Sequence, residues 1–157
     1  RAQMYKGHSD WSHIARVKAN PNIEIPIFGN GDIDSPQKAV EYKEKYGVDG
    51  IMIGRAAIGY PWIFNHIKHY RETGEILPEP TIHERLEAAK NHLDWAIDWK
   101  GERTGILETR MHYTNYFKGI PNFKPFRTKL VTQDNLEDLE NTFREIEEDF
   151  IPTLEII

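Results

Sequence analysis

The sequence predicts an α/β fold in the first half of the chain, followed by an all-α fold in the second half. Two short apolar runs, at residues 23–28 and 51–53, each pass through a glycine-containing turn into a helical pattern, which predicts the α/β part. Beyond the stiff LPEP linker at residues 77–80, every apolar pattern has helical spacing, which predicts the all-α part. We therefore expect one domain at residues 1–76 and a second at residues 77–157.

The two apolar runs are predicted to be buried, parallel strands. A helix that begins at Pro36 and ends at Gly47 separates them, and a crossover helix of this kind joins parallel strands. Further helices are predicted after Asp10 and after Pro61. Because two strands alone do not form a stable sheet with two covered faces, we expect residues 1–76 to be the tail of a larger α/β barrel.

The second domain is predicted to be a small helical bundle. Thr81 and Glu84 have the spacing of a capping box, and an apolar stripe follows them at helical spacing. A middle helix is predicted over about residues 104–118, and a last helix over about residues 134–150.

Composition restricts the classes of function. The 157 residues include no cysteine, which excludes disulfides, thiolate zinc sites and a cysteine nucleophile or acid within this chain. No apolar run approaches the roughly 20 residues of a membrane span, and we expect a cytoplasmic location without membrane association. The net charge of −5 argues against uniform binding of DNA or other nucleic acid. However, residues 100–131 hold seven bases and two acids, so they are a candidate anion-binding face.

The loops that follow the two predicted strands carry the candidate ligand-binding residues. Asn30-Gly31-Asp32 follows the first strand, and Gly54-Arg55 follows the second. Glycine lets a backbone approach a ligand closely, and arginine binds phosphate with two donors. The loops after the last two strands of an eight-stranded α/β barrel commonly form a phosphate site. The pair of loops therefore favours a bound phosphate over two ordinary strand-to-helix turns.

The basic segment combines cations with aromatic residues over positions 110–119. Arg110 and Lys118 belong to it, and Arg127 follows it. Cations hold RNA phosphates and aromatic rings stack on bases. On the residues alone, the favoured interpretation is still a helix with an aromatic core face and a solvated basic face.

Three further features receive structural interpretations. His66 and His69 lie three residues apart without a third ligand, so we expect no metal site. Trp95 and Trp99 form an i,i+4 pair that we expect to pack inside the bundle. The WIF run at residues 62–64 is expected to anchor the last helix of the first domain.

Four segments match one family pattern in order and spacing. They are RAQMYxGxxDW at residues 1–11, GNGDI at 29–33, DGIMIGR at 49–55 and PWIF at 61–64. The chain thereby resembles the C-terminal part of the tRNA-dihydrouridine synthase family, closest to its bacterial B-type branch. The likeness continues with less force from Arg110 to Lys129.

The resemblance implies an FMN-dependent (β/α)8 barrel with a C-terminal helical domain. Enzymes of this family reduce specific uridines in tRNA to dihydrouridine, with NADPH reducing the flavin. The resemblance further implies that Asn30, Gly31, Asp32, Gly54 and Arg55 contact FMN, mainly around its phosphate and ribityl chain.

The resemblance also implies a tRNA partner for the helical domain, through Arg110, Lys118 and Arg127. Met111 stands where a second base is usual. The family's catalytic cysteine, its histidine motif and its flavin-facing lysine have no counterpart here, so we expect no catalytic residue in this chain and no activity from it alone.

Two alternatives remain open. The chain could belong to another flavin- or phosphate-binding barrel with a small substrate, although such an enzyme does not need the basic cluster of residues 100–131. It could also be a stand-alone RNA-binding or interaction module that makes no use of flavin. In either case an incomplete barrel exposes sheet edges and apolar faces, which predicts self-association.

Overall fold

A computed structural model of the protein describes residues 6–151. The first family motif therefore lies partly, at residues 1–5, outside the described residues. The chain divides into two compact units on either side of the Pro78–Glu79 bond. The first unit contains α1 (Ser12–Lys18), β1 (Phe28–Asn30), α2 (Pro36–Tyr46), β2 (Gly50–Met52), a short 3-10 turn (Arg55–Ala57) and α3 (Ile63–Thr73). The second unit contains α4 (Ile82–Lys100), α5 (Glu102–Tyr116), α6 (Lys124–Thr132) and α7 (Leu136–Phe150).

The two strands pair in parallel, as predicted. Asn30 at the end of β1 lies opposite Met52 at the end of β2. The connecting helix α2 begins where Ser35 accepts a hydrogen bond from the Lys38 N–H, and it ends at Gly47 in the left-handed conformation. The predicted start and stop signals of this helix are confirmed.

The first strand was predicted too early in the chain. The prediction covered residues 23–28, but β1 begins only at Phe28. Pro26 has no N–H to donate to a ladder, and the Ile27 N–H is bonded to the Asp49 carboxylate at 2.7 Å instead. The strand pairing therefore begins at Phe28, directly after Pro26 and Ile27.

The prediction that both strands are buried is wrong for one face of the sheet. Phe28 and Met52 are 65% and 57% exposed. The opposite face packs on a core formed by four buried residues, Trp11, Ile33, Ala39 and Val48. Within residues 6–151, helices thus cover only one face of the two strands.

The second unit is built on an antiparallel pair, α4 and α5, joined at Gly101. The predicted capping box is confirmed, since the Thr81 side chain accepts from the Glu84 N–H and the Glu84 carboxylate accepts from the Thr81 N–H. The two helices approach closely at Gly105, where an added Cβ would lie 2.7 Å from the backbone nitrogen of Ile97. Residues from all four helices form the core, including Leu86, Leu93, Ile106, Tyr113, Leu130, Leu139, Phe143 and Ile146.

Two predictions for this unit require correction, and one of its helices was not predicted. The middle helix α5 ends at Tyr116 instead of residue 118, because Gly119 lies in the left-handed region and the chain turns there. Helix α6 was not predicted, although Pro125 in its first turn is a helix-start signal. The prediction that Trp95 and Trp99 pack inside the bundle is wrong, because these side chains are 70% and 82% exposed.

Candidate functional site

The loops after β1 and β2 leave the sheet from the same edge, because parallel strands end together. This alignment brings two of the predicted site residues into contact. The Nη2 of Arg55 donates a hydrogen bond to Oδ1 of Asp32 at 2.7 Å, and the two side chains form an ion pair. The carboxyl edge of the sheet therefore carries a cation that is fixed by an acid from the neighbouring loop.

Asp32 is itself held by the segment that precedes α1. The backbone N–H of Ser9 donates to Oδ2 of Asp32 at 2.6 Å. Hydrogen bonds from Ser9 are the main cause that lowers the pKa of Asp32 below its ordinary value, and the charge of Arg55 adds to the effect. Asp32 is thus ionised at neutral pH, with both carboxylate oxygens engaged, and its role is to orient Arg55.

The backbone conformation and the close packing at position 31 both require a glycine there. The φ of Gly31, +130°, is unfavourable for any residue with a side chain, and an added Cβ would lie 2.5 Å from Cβ of Ser9. Its carbonyl accepts a hydrogen bond from the indole Nε1 of Trp11 at 2.9 Å. Ser9 and Trp11 are thus support residues that the sequence prediction missed. Trp11 lies in the first family motif, but nothing in its position alone indicated this contact.

The other three predicted residues are accessible. Asn30 is exposed, and its amide nitrogen lies 3.3 Å from the Met52 sulfur, which is a weak acceptor. Gly54 has open space where a Cβ would stand. The Arg55 side chain is 57% exposed. These residues fit the phosphate end of a cofactor. A phosphate ester can be bound by an oriented guanidinium, a side-chain amide and an unobstructed backbone.

The cations of the basic segment have different environments. Arg110 donates from Nε and Nη2 to the backbone carbonyl of Gln133, and from Nη2 to that of Thr132. Arg127 is half-buried, with its Nη2 3.5 Å from the Phe117 carbonyl. Lys118 is exposed on the loop between α5 and α6. Of the three predicted RNA-binding residues, Lys118 alone is exposed, whereas the two arginines hold backbone carbonyls.

Arg85 is a further residue that the sequence prediction missed. Its guanidinium donates to the carbonyls of Tyr116 and Lys118, at 3.4 and 3.1 Å, and its Nε donates to the Pro80 carbonyl at 3.0 Å. The contacts to Tyr116 and Lys118 satisfy carbonyls at the end of α5 and just beyond it, which lack partners within the helix. Arg85 therefore fixes the backbone that presents Lys118. A sequence signal existed, since Arg85 lies four residues before Ala89 of the apolar stripe.

Comparison with known proteins identifies the family. Residues 1–151 match the family model described as dihydrouridine synthase (Dus). The chain belongs to the dihydrouridine synthase family. The match includes both loops at the sheet edge and the whole basic segment.

Curated relatives agree with this membership. The chain is 42% identical over 127 residues to a probable tRNA-dihydrouridine synthase of Rickettsia conorii, an alignment that covers 81% of this chain and 38% of the relative. It is 41% identical over 129 residues to tRNA-dihydrouridine synthase B of Pseudomonas aeruginosa, covering 82% and 38%. It is 40% identical over 127 residues to tRNA-dihydrouridine synthase B of Xanthomonas axonopodis pv. citri, covering 81% and 38%. The chain thus spans about two fifths of the length of these synthases.

The described residues contain neither a metal-ligand cluster nor a membrane-spanning helix. Among residues 6–151, no cluster of three His, Asp or Glu side chains could hold a metal ion. His66 is buried, with Nδ1 3.5 Å from the hydroxyl of Tyr60. None of the helices in this part of the chain has the length and hydrophobicity of a membrane span.

Proposed function

We propose that the chain is the cofactor-phosphate and RNA-docking part of a flavin-dependent tRNA-dihydrouridine synthase. Its first unit supplies the last βα units of the TIM barrel, and its second unit is the helical tRNA-binding domain. The observation that carries the proposal is the Arg55–Asp32 ion pair, which lies at the carboxyl edge of a parallel sheet in a member of this family.

The first unit is proposed to bind the phosphate and ribityl chain of FMN. Arg55 donates charged hydrogen bonds to the phosphate, Asp32 keeps the guanidinium in place, and Asn30 donates or accepts a hydrogen bond at the ribityl chain. Gly31 maintains the turn, and Gly54 lets the phosphate approach the backbone. A bound flavin, once reduced by NADPH, would supply a hydride to the uracil C5–C6 double bond, and a proton donor would complete the saturation of that bond. The proton donor for that bond lies outside these 157 residues, so the chain alone is proposed to be inactive.

The test of the cofactor site uses the complete synthase that carries this chain. Arg55→Ala should weaken FMN binding roughly 10- to 100-fold, since it removes a charged hydrogen-bond donor from a phosphate. Arg71→Ala is the matched control, because Arg71 is 59% exposed on α3 and lies outside both loops. Flavin fluorescence during titration with FMN measures the affinity. A wild-type protein that binds no FMN, or an Arg55→Ala variant with wild-type affinity, would contradict the proposal.

The second unit is proposed to hold tRNA through Lys118, with Arg110 and Arg127 keeping the neighbouring backbone in position. Lys118→Glu should weaken binding of unmodified tRNA and reduce the slope of log affinity against log salt by about one phosphate contact. Lys45→Glu, an exposed substitution on α2, is the control for a change of net charge. Equal affinity and equal salt dependence of wild type and Lys118→Glu would exclude this role for Lys118.

A further inference from the structure

Two large indole side chains stand on the surface of α4. Trp95 and Trp99 are one helical turn apart, and their exposed fractions are 70% and 82%. Tryptophan is rarely left so exposed, because burial of its large apolar surface is favourable. A pair of neighbouring exposed indoles therefore indicates a binding surface.

The indoles line a cleft between α4 and α5 with a volume of about 270 Å³. His92 and His112 also line it, with ring centroids 4.8 Å apart, and the Tyr116 hydroxyl lies 3.3 Å from Nδ1 of His92. Nδ1 of His112 is buried and has no hydrogen-bond partner within residues 6–151. A buried polar atom without a partner is costly, so the cleft favours an occupant that can pair with it.

The charges around the cleft favour a nucleobase over a phosphate group as its occupant. Lys100 lies 4.6 Å above the Trp99 ring and is paired with Glu108, so its charge is neutralised locally. Burial lowers the pKa of both His92 and His112, which leaves both imidazoles uncharged at neutral pH. The cleft therefore offers flat aromatic surfaces and neutral hydrogen-bonding groups, which match an uncharged aromatic ring with a polar edge.

We propose that this cleft binds one unstacked nucleobase of the tRNA, with Trp95 and Trp99 as the stacking surface and His112 facing the polar edge of the base. The inference rests on the proposed function, since tRNA is the RNA that it supplies. Charge complementarity supports an RNA occupant, because residues 100–131 still hold six bases and one acid when the Lys100–Glu108 pair is set aside. An apolar protein side chain in the same cleft would leave Nδ1 of His112 unpaired.

The experiment measures the binding of an unmodified tRNA transcript to the 157-residue chain and its variants. Replacing both tryptophans, Trp95→Ala with Trp99→Ala, should weaken binding by about 5- to 100-fold. The salt dependence should stay at its wild-type slope, because no phosphate contact is lost. Replacing both by phenylalanine should restore part of the affinity. Leu107→Ala is the matched control, because Leu107 is an exposed apolar residue of α5 that does not line the cleft.

The outcomes separate this inference from the proposed function. If the wild-type chain binds no tRNA, the proposed function of the second unit fails, and this inference fails with it. If the wild-type chain binds tRNA and the double alanine variant binds equally well, only the nucleobase cleft is refuted. Tryptophan emission gives a second measurement, and it should change when tRNA is added to wild type. A change that instead follows protein concentration without RNA, and that is lost in the double alanine variant, would assign the cleft to a second copy and overturn the proposal.

Discussion

The guanidinium of Arg110 donates hydrogen bonds to the backbone carbonyl of Gln133, the residue that caps the C-terminus of α6. Nε donates to this carbonyl at 2.9 Å across 23 positions of sequence, and Nη2 reaches the Thr132 carbonyl at 3.2 Å. Carbonyls in the last turn of a helix lack partners within it, and a cation there also offsets the helix dipole. Arg110, which the sequence analysis predicts to contact RNA, therefore links α5 to the end of α6.

Arg110→Ala should accordingly reduce stability. The loss of charged hydrogen bonds to two carbonyls is expected to lower the free energy of unfolding by about 1–3 kcal/mol. Urea denaturation measures it, with Arg103→Ala as the control, because Arg103 is an exposed residue on the same helix. Arg110→Lys should recover only part of the loss, since an ammonium lacks the planar pair of donors. Equal midpoints for Arg110→Ala and wild type would refute this linking role.

Arg85→Met should affect both stability and RNA binding. The substitution keeps most of the aliphatic stem but leaves the carbonyls of Tyr116 and Lys118 without their donor, so the free energy of unfolding should fall by about 2–4 kcal/mol. Under the proposed function, tRNA affinity should also fall at temperatures where the variant remains folded. Circular dichroism and a tRNA titration on the same samples measure the two effects. Unchanged stability would mean that Arg85 does not hold this loop.

Asp32→Asn should change how stability depends on pH. In the folded chain the pKa of Asp32 is lower than its ordinary value of 3.8, so the ionised group favours the folded state above about pH 4. That contribution is lost as the pH falls through the folded pKa. The variant should therefore melt below wild type near neutral pH, and the difference in melting temperature should close as the pH falls through the lowered pKa of Asp32. Asp34→Asn, on the same loop, controls for the loss of one charge. A difference in melting temperature between wild type and Asp32→Asn that does not change with pH would contradict this expectation.

Gly105→Ala should be destabilising, although alanine is the better helix former. The usual gain of up to about 1 kcal/mol in a helix interior is opposed here by contacts of 2.7–2.9 Å with the backbone of Ala96 and Ile97. Because backbone cannot rotate away as a side chain can, we expect a net loss of about 1–3 kcal/mol. Thr104→Ala, at the exposed neighbouring position, measures the propensity gain alone. Thermal melting of the two variants should shift in opposite directions.

The isolated chain should self-associate through its uncovered sheet face. Phe28 and Met52 are exposed at the two strands, and uncovered apolar surface beside strand edges promotes association. Light scattering should report a mass above that of the monomer, and Phe28→Ser with Met52→Ser should lower it. Phe64→Ser, at a residue 52% exposed on α3, is the control. A monomeric wild-type chain would contradict this expectation.

The sequence predicted those elements whose signals lie within a few residues. The serine–proline start and glycine end of α2 and the capping box of α4 depend on contacts between near neighbours, and the structure has all of them. Prediction of β1 failed where a distant group intervened, because the Asp49 carboxylate accepts the Ile27 N–H from 22 residues away. Helix α6 was missed because it is short and follows the turn at Gly119.

The sequence by itself determined the family and the residues of the two strand-end loops, since motif order and spacing are local information. Only the tertiary structure decided what those residues touch. It paired Arg55 with Asp32, bound Arg110 to backbone carbonyls, and left Trp95 and Trp99 on the surface. The physical reason is that these side chains bond to groups 20 or more positions away in the sequence, which only folding brings together. In addition, helical spacing alone does not indicate which face of a helix another helix covers.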